Sequence, residues 1–345
     1  MLEFYVGGYA VPGQPGVLKC GFDGAGMTVI DSNDELQNPS WVLQHPEKKV
    51  LYAVEELSPE GTLAALGEAE GHMRVLARVT TRGADPCHIA LSPDGRFLFV
   101  SNYSGGSLAV YALDENGLPV RMTDFVVHHM DDVRRALGNP VRQESPHIHF
   151  SLCDGAHVYV CDLGLDRVFI YGWNREEGRL VDEGRSIGFP EGSGPRHLAF
   201  AGDGERLYVL CELDATVHMF RRQSDGDWQR AQVVSTVPEG ADGFEAYSWS
   251  AGAAIRFADA HTLCTSTRGH DSLALFRVLP DGSLADRRVL SSCGKTPRDF
   301  MPAGPWLLAA NQDSDCVRAL RCDGAGEESG PGLSAIRPTC LCLAR

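Results

Sequence analysis

Four times in this 345-residue chain a proline is followed eight residues later by an acidic turn residue: Pro39 to Glu47, Pro86 to Asp94, Pro146 to Asp154 and Pro195 to Asp203. The stretches around them are alike. "NPSWVLQHPEKKVLYAVEE", "DPCHIALSPDGRFLFVSNYSGGSLAVYAL", "SPHIHFSLCDGAHVYVCDLGLDRVFIY" and "GPRHLAFAGDGERLYVLCELDATVHMF" share one order of parts. A short strand follows the proline, then a turn and a second strand; where the copy runs further, a Gly- or Asp-rich loop and a third strand follow. A unit repeated in this way cannot bury its own faces and must stack on its neighbours.

Weaker copies begin near Ala253 and Thr296, and the last, "RPTCLCLAR", is one strand long. Its continuation is at the other terminus, where "EFYVGGYA" and "GVLKCGF" supply the next two strands. Seven starts, at 39, 86, 146, 195, about 253, 297 and 338, predict an all-β, seven-bladed propeller of four-stranded antiparallel blades. Pairing of the N- and C-terminal strands closes the ring, and residues 1–345 form one domain. A β-sandwich with an added domain would leave the one-strand final copy unexplained. One stretch is longer than an outer strand needs, residues 117–144, "GLPVRMTDFVVHHMDDVRRALGNPVRQE". It reads as an insertion over one mouth of the channel, where long propeller loops often carry function.

The formal net charge of −15 argues against a nucleic-acid partner, which requires a basic face. An anionic ligand must therefore be met by a local cluster of Arg or His. The N-terminus "MLEFYVGGYA" has neither a charged leader nor a long apolar run, and no stretch reaches membrane-span length. The eleven cysteines form no CxxC pair. Together these features predict a cytoplasmic protein with reduced thiols and no membrane partner.

In a propeller blade the first strand lines the channel and the second runs back beside it, so two columns of residues meet at one mouth. Just after the prolines stand Ser40, Cys87, His147, Arg196, Arg298 and Thr339; at the ends of the second strands stand Glu56, Tyr103, Leu163, Glu212, Arg268 and Gln312. His147 and His149 alternate with Ile148 and Phe150, so an extended chain turns both imidazoles to one face. Charged groups lining a channel are costly unless paired or hydrated. For any one of His147, Arg196, Glu212, Arg268 and Arg298 a structural ion pair is the plainer reading; their coincidence at one mouth beneath the insertion points to a binding site.

The segments "NPVRQESPHIHFS" (139–151), "GPRHLAF" (194–200), "CELDATV" (211–217), "STRGHDSLALF" (266–276) and "ANQDSD" (310–315), with "YVGGY" at the start, resemble the seven-bladed lactonase family. That family includes propeller-type 6-phosphogluconolactonase and 3-carboxy-cis,cis-muconate cyclase. The resemblance implies an active-site histidine at the His147/His149 pair, two active-site arginines at Arg196 and Arg268, and a glutamate at Glu212. It also implies that Arg142 and Gln143 lie on a loop over the site. The chain departs from the family in the fifth copy, where Ala254, Ile255 and Arg256 replace an acidic residue followed by Ile-His.

Hydrolysis of a sugar-phosphate lactone needs a base for water, donors for the oxyanion and cations for phosphate. The base is His147, His149 or Glu212; Arg196 serves the oxyanion but would weaken Glu212 as a base. Arg268 and Arg298 are candidates for phosphate, with Arg142, Gln143, Gln312 and Tyr103 as further substrate contacts. The expected activity is 6-phosphogluconolactone hydrolysis in the pentose phosphate pathway, without metal or cofactor. A muconate cyclase, binding carboxylates on the same arginines, and a non-catalytic interaction propeller are the alternatives. His147, His149, His128 and His129 lack the acidic partners and spacing of a zinc or calcium set. His88 and His197 read as satisfied strand histidines facing away from His147, and the glycine-rich "GGYAVPGQPG" as a turn cluster that opens no helix.

Overall fold

The computed structural model describes residues 1–131, 139–240, 251–322 and 329–345. The described residues form twenty-eight strands, β1–β28 in chain order, in seven four-stranded antiparallel sheets. Blade 1 joins the C-terminal strand β28 (Pro338–Leu343) to β1 (Leu2–Gly8), β2 (Val17–Phe22) and β3 (Met27–Asn33), which closes the ring across the termini. The innermost strands of blades 2 to 7 are β4 (Val42–Gln44), β8 (Pro86–Leu91), β12 (Ile148–Cys153), β16 (Pro195–Phe200), β20 (Ala251–Asp259) and β24 (Pro297–Ala303). Each touches the next around the circle, and β24 returns to β28.

The runs that lack strand alternation, such as FLFV, follow from this arrangement. A blade packs both faces against neighbours, so its middle strands have no solvent side. All six residues of β9 (Phe97–Asn102) are buried. Seven apolar clusters fill the blade interfaces, one to each: Phe4 and Val6 of blade 1 meet Met301 and Leu308 of blade 7, and Phe97 and Phe99 of blade 3 meet Ile148 and Val158 of blade 4. The outermost strands carry most of the exposed positions, and β7 (His72–Thr80) alternates along much of its length. Among the described residues no helix is long and apolar enough to cross a membrane.

The long segment before the third copy divides differently from the expected insertion at 117–144. Pro119–Val127 is β11, the ordinary outer strand of blade 3, so the extra chain starts only after Val127. Residues 132–138 of that insertion lie outside the described residues. The returning end, 139–144, is anchored where Gln143 Nε2 donates to Leu163 O and to Asp166 Oδ1, both at 2.8 Å. Gly164 lets the next residues pass close by, since a Cβ there would stand 1.9 Å from Ser145 O.

Candidate active site

One backbone contact sets the site's register. The amide following the second strand of a blade donates to the carbonyl just ahead of the first: Tyr9 to Arg337, Glu56 to Asn38, Tyr103 to Asp85, Leu163 to His147, Glu212 to Gly194 and Gln312 to Thr296. In five of these blades the acceptor residue precedes a proline; in blade 4 it is His147, and Ile148 takes the proline's place. The innermost strands then bulge at the next residue. Cys87, His149, Arg196 and Arg298 are each skipped in the pairing with the second strand. A bulge leaves its extra residue unpaired and breaks the period of two. His149, and not His147, is therefore the channel-facing partner of Arg196 and Arg298.

One sequence expectation is corrected by this geometry. The two imidazoles do not share a face. His147 lies flat on the Tyr103 ring, 4.3 Å between centroids, with Nε2 3.0 Å from Glu144 Oε1 and Nδ1 3.2 Å from Tyr103 O. His149 is buried on the cavity wall, with its Nδ1 lacking a hydrogen-bond partner among the described residues. His88 and His197 are expected only to face away from His147, and both lie in the channel interior. They pack with Trp41 and Phe150 in a layer of rings within it, and Trp41 reaches His197 at 5.7 Å from three blades away. Both do have partners, Ser151 N for His88 and Arg196 Nη1 for His197.

Glu212 is the centre of the site. It follows β17 (Arg206–Cys211), and its Oε2 accepts from Arg196 Nε at 3.0 Å and from Arg268 Nη2 at 2.6 Å. Oε1 accepts from Arg142 Nη2, whose guanidinium also covers the Tyr103 ring at 5.5 Å. The three guanidinium groups come from β16, from the end of β21 (Thr262–Arg268) and from the loop ahead of β12. Burial alone would raise the Glu212 pKa, but Arg268, Arg142 and Arg196 outweigh it and hold the carboxyl well below the usual carboxylate range. Burial, followed by the charge of Arg268, lowers Arg196 to about 9. Burial also pushes the His149 imidazole well below its usual 6.5, helped by Arg196, Arg298 and Arg268. At neutral pH the site thus holds a carboxylate, guanidinium cations and an uncharged imidazole.

The cavity in front of Glu212 measures about 500 Å³ and is lined by Arg142, His149, Arg268, Arg298, Tyr103 and Glu212 among others. Arg196 is expected at the substrate but lies behind Glu212, where its Nη1 is bonded to Ala253 O and to His197 Nε2 at 3.1 Å. Gln143 is fully buried with its amide engaged by the chain, so it does not face the cavity. Gln312 also stands back, accepting from Arg298 Nη1 at 3.3 Å. Arg268, expected at phosphate, is tied to Glu212; Arg298 is held by an amide oxygen and by the Tyr9 ring at 5.3 Å. Burial acts to lower the Arg298 pKa, but Tyr9, Glu56 and Glu212 more than offset it and hold the group above its ordinary value.

Six lining residues were absent from the sequence-based site: Glu56 and Cys87, which stood only in the two columns, and Tyr9, Asp85, Ser104 and Ala251. Tyr9 follows β1, the second strand of blade 1, and is a further member of the column that contains Tyr103 and Glu212. Extending the column across the termini would have found it. Tyr9 Oη donates to Glu56 Oε1 at 2.8 Å, which makes a second polar wall. The fifth copy's departure is accommodated nearby, where Arg256 pairs with the buried Asp299 at 2.7 Å. Of the other histidines, His128 is engaged by Asp162 at 2.6 Å and by Tyr171 at 2.9 Å, and His129 is exposed. Among the described residues no three His, Cys, Asp or Glu side chains are grouped to hold a metal ion.

A seven-bladed ring with an arginine-clamped glutamate and a buried imidazole on one cavity wall is a propeller with a charged polar cavity. The family described as "Lactonase, 7-bladed beta-propeller" matches residues 3–336, and the chain belongs to that family. It is 29% identical over 321 residues to the 6-phosphogluconolactonase of Bacillus subtilis (strain 168), spanning 90% of this chain and 88% of that one. Its fold matches the Pseudomonas aeruginosa periplasmic gluconolactonase with a TM-score of 0.87 at 30% identity, over 100% of this chain and 99% of the other. A Lactobacillus plantarum protein matches with the same TM-score at 25% identity, over 100% and 99% of the two chains.

Proposed function

We propose that the chain is a sugar-lactone hydrolase, acting on 6-phospho-D-glucono-1,5-lactone to give 6-phosphogluconate, the reaction of the pentose phosphate pathway. The observation that carries this is the Glu212 clamp with His149 beside it in a cavity of lactone size. A carboxylate bonded to three guanidinium groups is too weak a base to activate water. Its role is to align Arg142 and Arg268 so that their remaining N–H groups aim at the lactone carbonyl. His149 is assigned as the base because it lines the cavity with its Nδ1 left without a partner among the described residues, whereas both Glu212 oxygens are taken by guanidinium groups. The lowered pKa that weakens it as a base makes its protonated form a stronger acid toward the departing oxygen. His149 takes a proton from water as the oxygen attacks C1. The carbonyl oxygen gains the negative charge and is held by Arg268 and Arg142. Collapse of that intermediate breaks the ring C1–O bond, and the proton on His149 passes to the departing ring oxygen, leaving an open-chain acid that ionises.

The 6-phosphate is assigned to Arg298, the lining guanidinium not bonded to Glu212. No step draws on a metal or cofactor. All eleven cysteines are free thiols, which supports a reducing, cytoplasmic setting. The test follows acid release from 6-phosphogluconolactone and from glucono-1,5-lactone in a pH-stat, corrected for spontaneous hydrolysis. Turnover of the phosphorylated lactone with the higher kcat/KM is expected. Rates equal to the blank for both would remove the hydrolase reading, and turnover of a carboxymuconate instead would replace it with a cyclase.

A further inference from the structure

We propose that His197 is a positioning residue of this site, acting as the neutral acceptor that fixes the Arg196 guanidinium against Glu212. The proposal rests on the lactonase reading and adds a residue to it. Arg196 and His197 are consecutive on β16, and an ordinary strand would point them to opposite faces. The bulge at Arg196 brings them together, with Nη1 3.1 Å from His197 Nε2. The same Nη1 meets Ala253 O, while Nε is aimed at Glu212 Oε2 at 3.0 Å. One edge of the guanidinium is thus held by two acceptors so that another faces the carboxylate.

A guanidinium has no acceptor, so His197 Nε2 must present its lone pair and the ring must be unprotonated. The ring itself is fixed by its neighbours: Phe150 at 4.7 Å, His149 at 5.2 Å and Trp41 at 5.7 Å between centroids. Arg298, the corresponding arginine of blade 7, is followed by Asp299 and is instead oriented by Gln312. Without His197, Arg196 Nη1 keeps one acceptor and the guanidinium can rotate off Glu212. Glu212 would then be balanced by Arg268 and Arg142 alone, which draws their N–H groups from the substrate toward the carboxylate. The loss should therefore fall on kcat and leave KM little changed.

The experiment measures kcat and KM of His197→Leu, His197→Gln and His197→Asn, with His197→Leu repeated in an Arg196→Lys background. A lost hydrogen bond to a charged group predicts a roughly tenfold to hundredfold fall in kcat for His197→Leu. His197→Gln places an amide oxygen where Nε2 stands and should stay within about threefold of the wild type. Asn is too short to do so and should be impaired. In the Arg196→Lys background the Leu substitution should have less than about a threefold further effect. Wild-type kcat in His197→Leu, or equal impairment in Gln and Asn, would overturn the proposal, and so would an undiminished penalty in the Arg196→Lys background. If His197→Leu does not fold, the Gln and Asn pair decides. A readout independent of turnover separates this inference from the lactonase reading. Hydrogen exchange at Arg196 Nε–H, followed by ¹⁵N NMR, should be slow in the wild type and His197→Gln and fast in His197→Asn. Equal protection in all three would refute the positioning role even if no lactone were turned over.

Discussion

Acidification should destabilise this protein well before its carboxylates titrate. Four buried imidazoles are pushed below their ordinary pKa: His88, His149 and His197 in the channel, and His218 to about 4, in each case first by burial and then by nearby arginines. For a base with a lowered folded pKa, the stability is fully present above the unfolded value of 6.5. It is lost as the pH falls below 6.5, because the unfolded chain takes up the proton first. Between pH 7 and pH 5.5 each such group removes roughly 1.2 kcal/mol, so four remove about 5 kcal/mol. Glu212 stays ionised throughout, being held below the carboxylate range, and does not contribute. A domain's whole stability is about 5–15 kcal/mol, so the effect is large. Guanidinium chloride unfolding, followed by the fluorescence of the five tryptophans, measures it at the two pH values. His218→Gln should remove about a quarter of the pH dependence. Equal unfolding free energies at pH 7 and 5.5, within about 1 kcal/mol, would refute the assignment of these rings as neutral in the folded state.

Three further outcomes follow from the site. His149→Ala should lower kcat by about a hundredfold or more, the usual scale of a general base, while His147→Phe, which keeps the stack on Tyr103, should cost less than about tenfold; steady-state assays of the two variants check this. Arg298→Ala should raise KM for the phosphorylated lactone about tenfold or more and leave glucono-1,5-lactone nearly unaffected, as expected for loss of a charge-assisted contact; comparison of the two substrates tests it. Glu212→Gln leaves three guanidinium groups without their carboxylate and should destabilise the fold by about 3–5 kcal/mol, read by denaturant unfolding, with turnover falling in parallel.

The repeat alone determined the architecture. A proline, a turn acid at fixed spacing and apolar middle strands are local signals, and seven copies that each bury both faces have one economical arrangement, a closed ring. The column logic also brought Glu212, Arg196 and Arg268 together before any coordinates, because side chains at equivalent places in equivalent blades meet at one mouth. Only the tertiary structure decided which histidine joins them. Sequence parity treats a strand as strictly period two, whereas blade 4 enters its strand two residues later than its proline suggests and then bulges, exchanging His147 for His149. The same bulges at Cys87 and Arg196 put His88 and His197 into the channel. Tyr9 was missed for a different reason. It belongs to the same column but stands in the blade closed by strands from opposite ends of the chain, and the column was not continued across the termini.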